Sequence, residues 1–507
     1  MNGSLGTLTV SKPGSGTPGS LTVGNTITIG RAVAGNAGTG NLNIAGGASM
    51  TTMGADGVQV AVFADGPFGN VSVTDSGSYI STARFTLGAI TGHATLTIQN
   101  AAQLLCGDAS IAGSPFFAGG SSTVGSATVT GANSLWAIDS ATAFNVGYFG
   151  NGTLTISNGG IVADHRSTIA TNPGSIGNAT VTGPGSLWDH QGGDIYVGGT
   201  ADSSASGGTG ALHVLSGGLL KASLLKIFDT ATVEINNGSS TVPGLLISGD
   251  VPAHMAGGTF GELTVGSTGA GRMELRNGGS VSSSRGYIGF ANGAEGSVLV
   301  TGSGTQATFW QATGSIFVGN GGNGTLEVRN GANVTSDNNG YLAFGNNTTG
   351  YAIVSGASWT TAQNLYVGGN AAGPGGNGTL QIENGGTVTA TTTTIYNTGA
   401  LLLSGIPALE STNTFLGGSA QMLANTSFGN AFSLGAGGIH IYTNFFDAIF
   451  FGQISGAGAL DKAGSFTIGP GTLSLTNSNT YAGGTTVSAG RLLANNSSGS
   501  ATGTGAV

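Results

Sequence analysis

The chain has 507 residues, of which 98 are glycine and only 7% are charged, and its formal net charge is −9. The charges are scattered singly, which excludes the basic stripe of a nucleic-acid-binding protein, and the glycines lack the three-residue period of collagen. Cys106 is the only cysteine, so the chain can form neither an internal disulfide nor a cysteine zinc cluster, and no apolar run is long enough for a membrane-spanning helix.

The N-terminal part predicts short strands. The first residues, MNGSLGTLTVSKPG, lack the basic and apolar segments of a secretion signal and themselves read as a strand. Apolar and polar letters then alternate in three further segments, which is typical of a strand with one buried face. These segments are GTGNLNIAGGASM (38–50), GNVSVTDSGSYI (69–80) and GHATLTIQNAAQLL (92–105).

From residue 125 onward, two related segments, which we call A and B, alternate along the chain. Both have a glycine directly before an alternating strand pattern, such as Gly152. Six residues after that glycine most have an Asn or Gly, where a turn with positive φ is predicted. Where the alternation is unbroken, neighbouring units begin 25 to 28 residues apart, as in a repeat protein. The A segments include GNGTLTISNGGIV (150–162), GNGTLEVRNGANV (322–334) and GNGTLQIENGGTV (376–388), and the B segments are GSATVTGANSLW (125–136), GNATVTGPGSLW (177–188), GSVLVTGSGTQATFW (296–310) and GYAIVSGASW (350–359).

A third element completes each unit: FNVGY, IYVGG, IFVGN, LAFGN and LYVGG recur after the A and B segments. Three short strands in such a unit correspond to one coil of a parallel β-helix, in which successive coils stack at about 4.8 Å. A propeller would need four strands and roughly 40 to 50 residues per unit. The sequence therefore predicts an all-β, parallel β-helical fold.

The alternation fades near residue 400, so the sequence predicts three regions. Residues 1–399 form the A/B repeat array, residues 400–453 form irregular β-rich coils, and residues 454–507 form a separate repeat. This last repeat contains GTLSLTNSNTYAGGTTVSAGRLLAN, which begins at Gly471.

This last segment closely resembles the autotransporter-associated β-strand repeat, also called the passenger-associated transport repeat. The resemblance implies a right-handed parallel β-helix, exported as a passenger to the surface of a Gram-negative bacterium. It also implies a C-terminal outer-membrane barrel, which we therefore expect in the full-length protein, although the sequence up to Val507 does not contain its strands. The matching residues are Gly471, Thr472, Leu473, Leu475, Asn479, Thr480, Tyr481, Gly483, Gly484, Thr485, Val487, Gly490 and Leu492.

One group of residues suggests carbohydrate chemistry. Asp164-His165 and Asp189-His190 follow the first glycines of their units, Gly152 and Gly177, at the same spacing. A regular helix would therefore place one dipeptide above the other, with Arg166 beside them. Carboxylate, imidazole and guanidinium groups together can bind a sugar acid or a metal. The alternative is two exposed turns that happen to repeat.

Trp136, Trp188 and Trp359 suggest a second possible ligand surface. Each follows the start of a strand in a B segment, and the alternation predicts that the indoles point outward, where they can bind sugar rings or a protein. The alternative is that they cover the neighbouring coil. Calcium binding is disfavoured because Leu326 and Leu380 stand where the calcium-binding nonapeptide has aspartate, and the sequence predicts no metal or cofactor.

The function predicted from these observations is a non-enzymatic, secreted or cell-surface passenger with an adhesive or structural role. Its partners would be a host or neighbouring cell surface, glycans or extracellular matrix, and not nucleic acid. Two alternatives remain open at this point: a carbohydrate-active β-helix enzyme centred on Asp164, His165, Asp189 and His190, and glycan binding along the tryptophans.

Overall fold

The structure, a computed structural model, describes residues 5–12, 16–31, 38–62, 67–116, 122–139, 143–200, 207–237, 245–247, 261–303, 307–464 and 471–507. The chain divides into two compact units. The first unit contains Met1–Leu263, Gly269–Met273 and Gly278–Val281, and the second contains Thr264–Thr268, Glu274–Asn277 and Ser282–Val507. Within the described ranges, no helix is long and apolar enough to cross a membrane.

Short strands separated by turns make up the described residues. Up to residue 247 they are β1 (Leu5–Val10), β2 (Ser20–Val23), β3 (Ile27–Arg31), β4 (Thr39–Ile44), β5 (Ser49–Thr52), β6 (Val58–Val62), β7 (Phe68–Thr74), β8 (Tyr79–Leu87), β9 (His93–Gln99), β10 (Gln103–Ile111), β11 (Val124–Thr130), β12 (Leu135–Ile138), β13 (Phe144–Val146), β14 (Asn151–Ser157), β15 (Ile161–Ala163), β16 (Arg166–Ile169), β17 (Ile176–Thr182), β18 (Leu187–Asp189), β19 (Asp194–Val197), β20 (Thr209–Leu215), β21 (Leu219–Ala222), β22 (Leu224–Ile227), β23 (Thr232–Asn236) and β24 (Leu245–Ile247).

The remaining strands follow from residue 262. They are β25 (Glu262–Val265), β26 (Ala270–Arg276), β27 (Ser280–Ser283), β28 (Arg285–Ile288), β29 (Glu295–Thr301), β30 (Phe309–Ala312), β31 (Ile316–Val318), β32 (Asn323–Arg329), β33 (Asn333–Ser336), β34 (Gly340–Leu342), β35 (Thr349–Ser355), β36 (Ser358–Thr361), β37 (Asn364–Val367), β38 (Gly369–Asn370), β39 (Gly373–Pro374), β40 (Asn377–Glu383), β41 (Thr387–Tyr396), β42 (Gly399–Gly405), β43 (Ala408–Leu416), β44 (Ser419–Phe428), β45 (Phe432–Leu434), β46 (Ile439–Tyr442), β47 (Ala448–Phe450), β48 (Ile454–Gly456), β49 (Leu460–Ala463), β50 (Thr472–Leu475), β51 (Thr485–Val487) and β52 (Arg491–Ala494).

Apart from β38 and β39, which pair with each other in antiparallel orientation, the described strands form three rows, and a coil contributes one strand, or half of a longer strand, to each row. In the first row, β11, β14, β17 and β20 pair in parallel in the first unit, and β29, β32, β35 and β40 do so in the second. The second row includes β12, β15 and β18, and the third includes β13, β16 and β19. This parallel pairing confirms the predicted β-helix with three strands per coil.

Core volume explains why A and B coils alternate. An A coil buries a large aliphatic residue in the first row and a branched aliphatic one in the second, whereas a B coil buries a smaller residue and then a tryptophan. Each coil therefore fills a similar interior volume, as close packing requires. The A pairs are Leu154 with Val162, Leu212 with Leu220, Leu326 with Val334 and Leu380 with Val388, and the B pairs are Ala127 with Trp136, Ala179 with Trp188, Val298 with Trp310 and Ala352 with Trp359.

The turn after the first-row strand has the predicted left-handed backbone. Asn158 has φ of 52° and Gly131 has φ of 89°, and of the other predicted positions only Gly302 does not have a positive φ. The A-coil asparagine also binds the neighbouring coil, because Asn158 Nδ2 donates to Thr130 Oγ1 at 3.1 Å. The left-handed backbone therefore favours Asn and Gly at this turn, as the sequence predicted, although Ser216 adopts it as well with φ of 50°.

Strand pairing continues through residues 400–453, although the A/B pattern is lost there. Ala400 pairs with Ser419, and Ser419 pairs in turn with His440. Fewer residues separate the members of each of these pairs than separate Gly152 from its partner Gly177 in the A/B array. The register also shifts between Leu403 and Gly405. These coils are therefore shorter than those of the A/B array, which explains why the sequence period disappears.

Candidate functional site

The predicted pairing of Asp164 with Asp189 is wrong. In the second row, Ala163 pairs with Asp189, so Asp164 lies level with His190. Ser157 and Thr182 are paired in the first row. Three residues separate Ser157 from the start of β15, whereas four separate Thr182 from the start of β18. This extra residue in the B turn shifts the register by one.

Asp164 and His190 form a buried pair inside the first unit. Their side chains are 1% and 0% exposed, and Asp164 Oδ1 lies 3.6 Å from His190 Nε2. His190 Nδ1 lies 3.0 Å from the carbonyl oxygen of Lys221, which can only accept a hydrogen bond, so Nδ1 carries a proton and Nε2 faces the carboxyl group. Burial raises the pKa of Asp164, while His190, Ser167 and Trp188 oppose this shift.

Asp164 acts as the hydrogen-bond acceptor of a core tryptophan. Trp188 Nε1 donates to Asp164 Oδ2 at 3.3 Å, and Ser167 Oγ donates to the same oxygen. Cys106 holds the equivalent position one coil below Trp136, whose Nε1 lies 3.4 Å from Cys106 Sγ. Burial also raises the pKa of the Cys106 thiol to about 12. Because both side chains are buried, they are closed to a polymeric substrate.

The other three residues of the predicted group lie outside the core. His165 is partly exposed, 3.6 Å from the fully exposed Asp139, and Arg166 is exposed and level with Asp194. Asp189 Oδ1 accepts a hydrogen bond from the backbone N–H of Gln191 at 2.9 Å. The structure therefore separates the group into a buried pair and scattered surface residues.

The prediction that Trp136, Trp188 and Trp359 point outward is wrong. All three side chains are 0% exposed, as is that of Trp310. Their strands begin a new alternation after the turn, so that Leu135 and Leu187 are the half-exposed residues. The indoles pack in the core, and Trp136 contacts Phe144 edge to face with ring centroids 5.0 Å apart. They cannot form an external ligand surface.

An aromatic ladder, which sequence reasoning missed, lies on the third row of the second unit. Tyr287, Phe317, Tyr341 and Tyr366 stack with ring centroids 4.9, 4.7 and 5.4 Å apart and interplanar angles of 11° to 13°. The segments IFVGN and LYVGG already displayed two of these rings. Because the rings cover one another's faces, the ladder stabilises coil stacking and leaves mainly ring edges toward solvent.

The region resembling the passenger repeat forms a coil with a buried polar anchor. Leu473 and Leu475 of β50 are buried. Asn479 Oδ1 accepts from the backbone N–H of Ile454 at 2.8 Å, and its Nδ2 donates to the carbonyl oxygen of Ala501 at 2.6 Å. The Tyr481 hydroxyl lies 2.5 Å from Thr485 Oγ1.

The remaining residues of this pattern have turn, pairing or surface roles. Gly484 and Gly490 have φ of 89° and 83°, which explains two of its glycines. Thr480 N–H donates to the carbonyl oxygen of Ile454 at 2.8 Å, whereas Val487 is exposed.

No metal centre emerges from the described part of the chain, in which no group of three or more His, Cys, Asp or Glu side chains is arranged to hold an ion. The buried Asp164–His190 pair has two titratable members and is enclosed by the core.

Comparison with known families identifies the C-terminal repeat. Residues 468–494 match the model of the passenger-associated-transport-repeat family, which confirms the resemblance drawn from the sequence. No curated protein matches the chain. One solved structure that aligns with the chain is the crystal structure of a TibA fragment whose hyper-glycosylation was catalysed by TibC. The alignment has 14% sequence identity, covers 99% of this chain and 100% of that chain, and has a TM-score of 0.21. The fold assignment therefore rests on the strand pairing itself.

Proposed function

We propose that this chain is part of a secreted, non-enzymatic passenger that lies at the surface of a Gram-negative cell and acts in adhesion. The observation that carries the proposal is the passenger-associated transport repeat at residues 468–494. Its strands β50 and β52 continue the row of β47, so the repeat is an integral coil of the second unit. A repeat typical of exported passengers is thus built into the β-helix.

The loss of the candidate enzyme site supports a non-enzymatic role. Hydrolysis or lyase chemistry needs carboxylates that reach the scissile bond. Asp164 and His190 are enclosed, whereas Asp189, His165 and Arg166 are directed to separate surroundings. A β-helix surface that repeats the same outward positions on many coils suits multivalent attachment better, because repeated weak contacts add up to strong binding.

Surface display tests this proposal. Gram-negative cells that export the full chain should attach to epithelial cells or matrix-coated plastic, or aggregate with one another, more than cells exporting an unrelated cargo at equal surface level. Protease treatment of intact cells should remove both the displayed chain and the added attachment. The proposal fails if the chain is displayed but neither attachment nor aggregation changes, or if the exported chain depolymerises polysaccharides.

A further inference from the structure

The outer face of the first row changes in chemistry along the chain: charged residues are absent from its earlier strands, appear at Glu234 on β23 within the first unit, and continue in the second unit. On β4, β7, β9, β11, β14 and β17 in the first unit, the outward side chains include no Asp, Glu, Lys or Arg. The same row in the second unit carries Glu327 and Arg329, joined at 2.9 Å, and Gln381, whose Nε2 donates to Glu383 Oε2 at 2.7 Å. The backbone arrangement is shared, so the difference lies in the outward residues alone.

Three neighbouring coils form the centre of this uncharged surface, which we call the neutral polar face. Its strands β11, β14 and β17 pair in register, so that Ser126, Thr153 and Asn178 form one column and Thr128, Thr155 and Thr180 form the next. Columns of this kind repeat at about 4.8 Å between coils and about 7 Å between alternate residues of one strand. The face therefore presents a regular, flat lattice of hydroxyl and amide groups.

The side chains of the neutral polar face are free to bind a ligand. None of the six makes a side-chain hydrogen bond to another group among the described residues. The adjoining column behaves differently, since Ser157 Oγ donates to Thr130 Oγ1 at 3.0 Å. Asn70 and Thr95, on the coils preceding β11, are joined in the same way at 2.7 Å. The hydroxyl and amide groups of the neutral polar face are thus unused, whereas those of the adjoining column and of the preceding coils are partly paired.

The chemistry of the face favours one class of partner. Nucleic acid and acidic lipid surfaces need basic residues, which are absent from these strands. Protein partners are usually anchored by Trp, Tyr or Arg, and the face has none of these residues. A neutral polysaccharide instead offers hydroxyl groups at a regular repeat, and its C–H groups can contact the threonine methyl groups.

The edge of the surface adds an aromatic contact suited to sugar rings. Phe68 and His93 stack there with ring centroids 5.1 Å apart, and Phe68 is 50% exposed. They occupy the outward column that continues through Val124 to Asn151 and Ile176. From these observations we propose that the neutral polar face binds an extended, uncharged polysaccharide. This inference goes beyond the proposed adhesive function, since adhesion could proceed through another surface.

The test uses the purified full chain and a panel of immobilised mannan, dextran and galactan, with alginate as the charged counterpart. We expect binding to at least one neutral polysaccharide that changes little between low and high salt, because no ion pair contributes. In the triple variant Thr128→Val, Thr155→Val and Thr180→Val, each hydroxyl is replaced by a methyl group on a β-branched side chain that suits a strand. At about fivefold per lost hydrogen bond, affinity should fall roughly hundredfold.

A matched control carries Thr325→Val and Thr379→Val, which remove outward first-row hydroxyls from the second unit and should leave binding unchanged. Unfolding midpoints of both variants report whether the fold is kept. The proposal is overturned if no neutral polysaccharide binds, if the folded triple variant binds as well as the wild type, or if only alginate binds. Ice-growth inhibition without polysaccharide binding would instead assign the lattice to ordered water. Loss of polysaccharide binding in the folded triple variant supports the proposal even if displaying cells still attach, because attachment would then proceed through another surface.

Discussion

The exchange of core volume within one coil predicts strong coupling between Ala352 and Trp359. Both are 0% exposed, and the A coils on either side carry Leu326 with Val334 and Leu380 with Val388. Trp359→Val should cost about 2–4 kcal/mol, somewhat less than the roughly 3–5 kcal/mol typical of Trp→Ala. No hydrogen bond is lost, because the indole N–H of Trp359 has no partner.

Ala352→Leu alone should overpack the same coil by about 1–3 kcal/mol. The double variant turns the B coil into an A coil and conserves volume, so we expect it to lie within about 1.5 kcal/mol of the wild type. The two single costs sum to at least about 3 kcal/mol, so the coupling energy should reach at least about 1.5 kcal/mol in the stabilising direction. It is measured by urea unfolding of the full chain, followed by circular dichroism, and by amide hydrogen exchange in β35.

A control cycle combines Ala352→Leu with Trp310→Val, which lies two coils away. At that distance the two effects should add to within about 0.5 kcal/mol. If the Ala352/Trp359 cycle were equally additive, the idea that each coil conserves its interior volume would be refuted, and the A/B alternation would need another cause.

Three further predictions concern single polar and aromatic contacts. Burial raises the pKa of Asp164 above its ordinary value of 3.8. Between pH 3.8 and the raised pKa, the folded state therefore keeps a proton that the unfolded state releases, so stability should fall as the pH rises through this range. Asp164→Asn can keep every hydrogen bond and should flatten this dependence in unfolding experiments from roughly pH 4 to 8, whereas an unchanged slope would contradict it. Tyr341→Leu removes two stacked pairs and should cost about 1–3 kcal/mol, with about half that loss for Tyr366→Leu at the end of the ladder, as checked by thermal unfolding. Asn479→Ala leaves buried backbone groups unpaired and should cost about 2–4 kcal/mol, measured as faster hydrogen exchange in the last coils, and an equal effect of the half-exposed Asn477→Ala would argue against this anchor.

The fold was predictable because the inward residues repeat at constant spacing. Leu154, Leu326 and Leu380 occupy the same place in their coils, and each is completely buried. Stacked coils place like residues over like, so the sequence displays the strand register directly. The turn after the first-row strand was predictable for a similar reason, since few residues other than Asn and Gly accept its left-handed backbone.

The candidate site was not predictable in the same way, because it depends on turn length. Alternation fixes which side chains of one strand share a face, but a turn resets the phase for the next strand. Trp188 was therefore assigned to the wrong face, and Asp164 was matched with Asp189 instead of His190. The volume pairing of Ala179 with Trp188, set against Leu154 with Val162, is the sequence signal that points these tryptophans inward.

Volume pairing also indicates where specificity can evolve in this fold. Changing an inward residue disturbs the packing of its own coil and of the coils stacked on it, whereas an outward residue of the first row contacts mainly its column neighbours. Different coils use this freedom differently: Thr155 lies in an uncharged lattice, while Glu327, in the corresponding place of a later A coil, forms an ion pair with Arg329. Because the inward residues Leu154 and Leu326 are the same in these two coils, the chemistry of the surface can change without altering the fold.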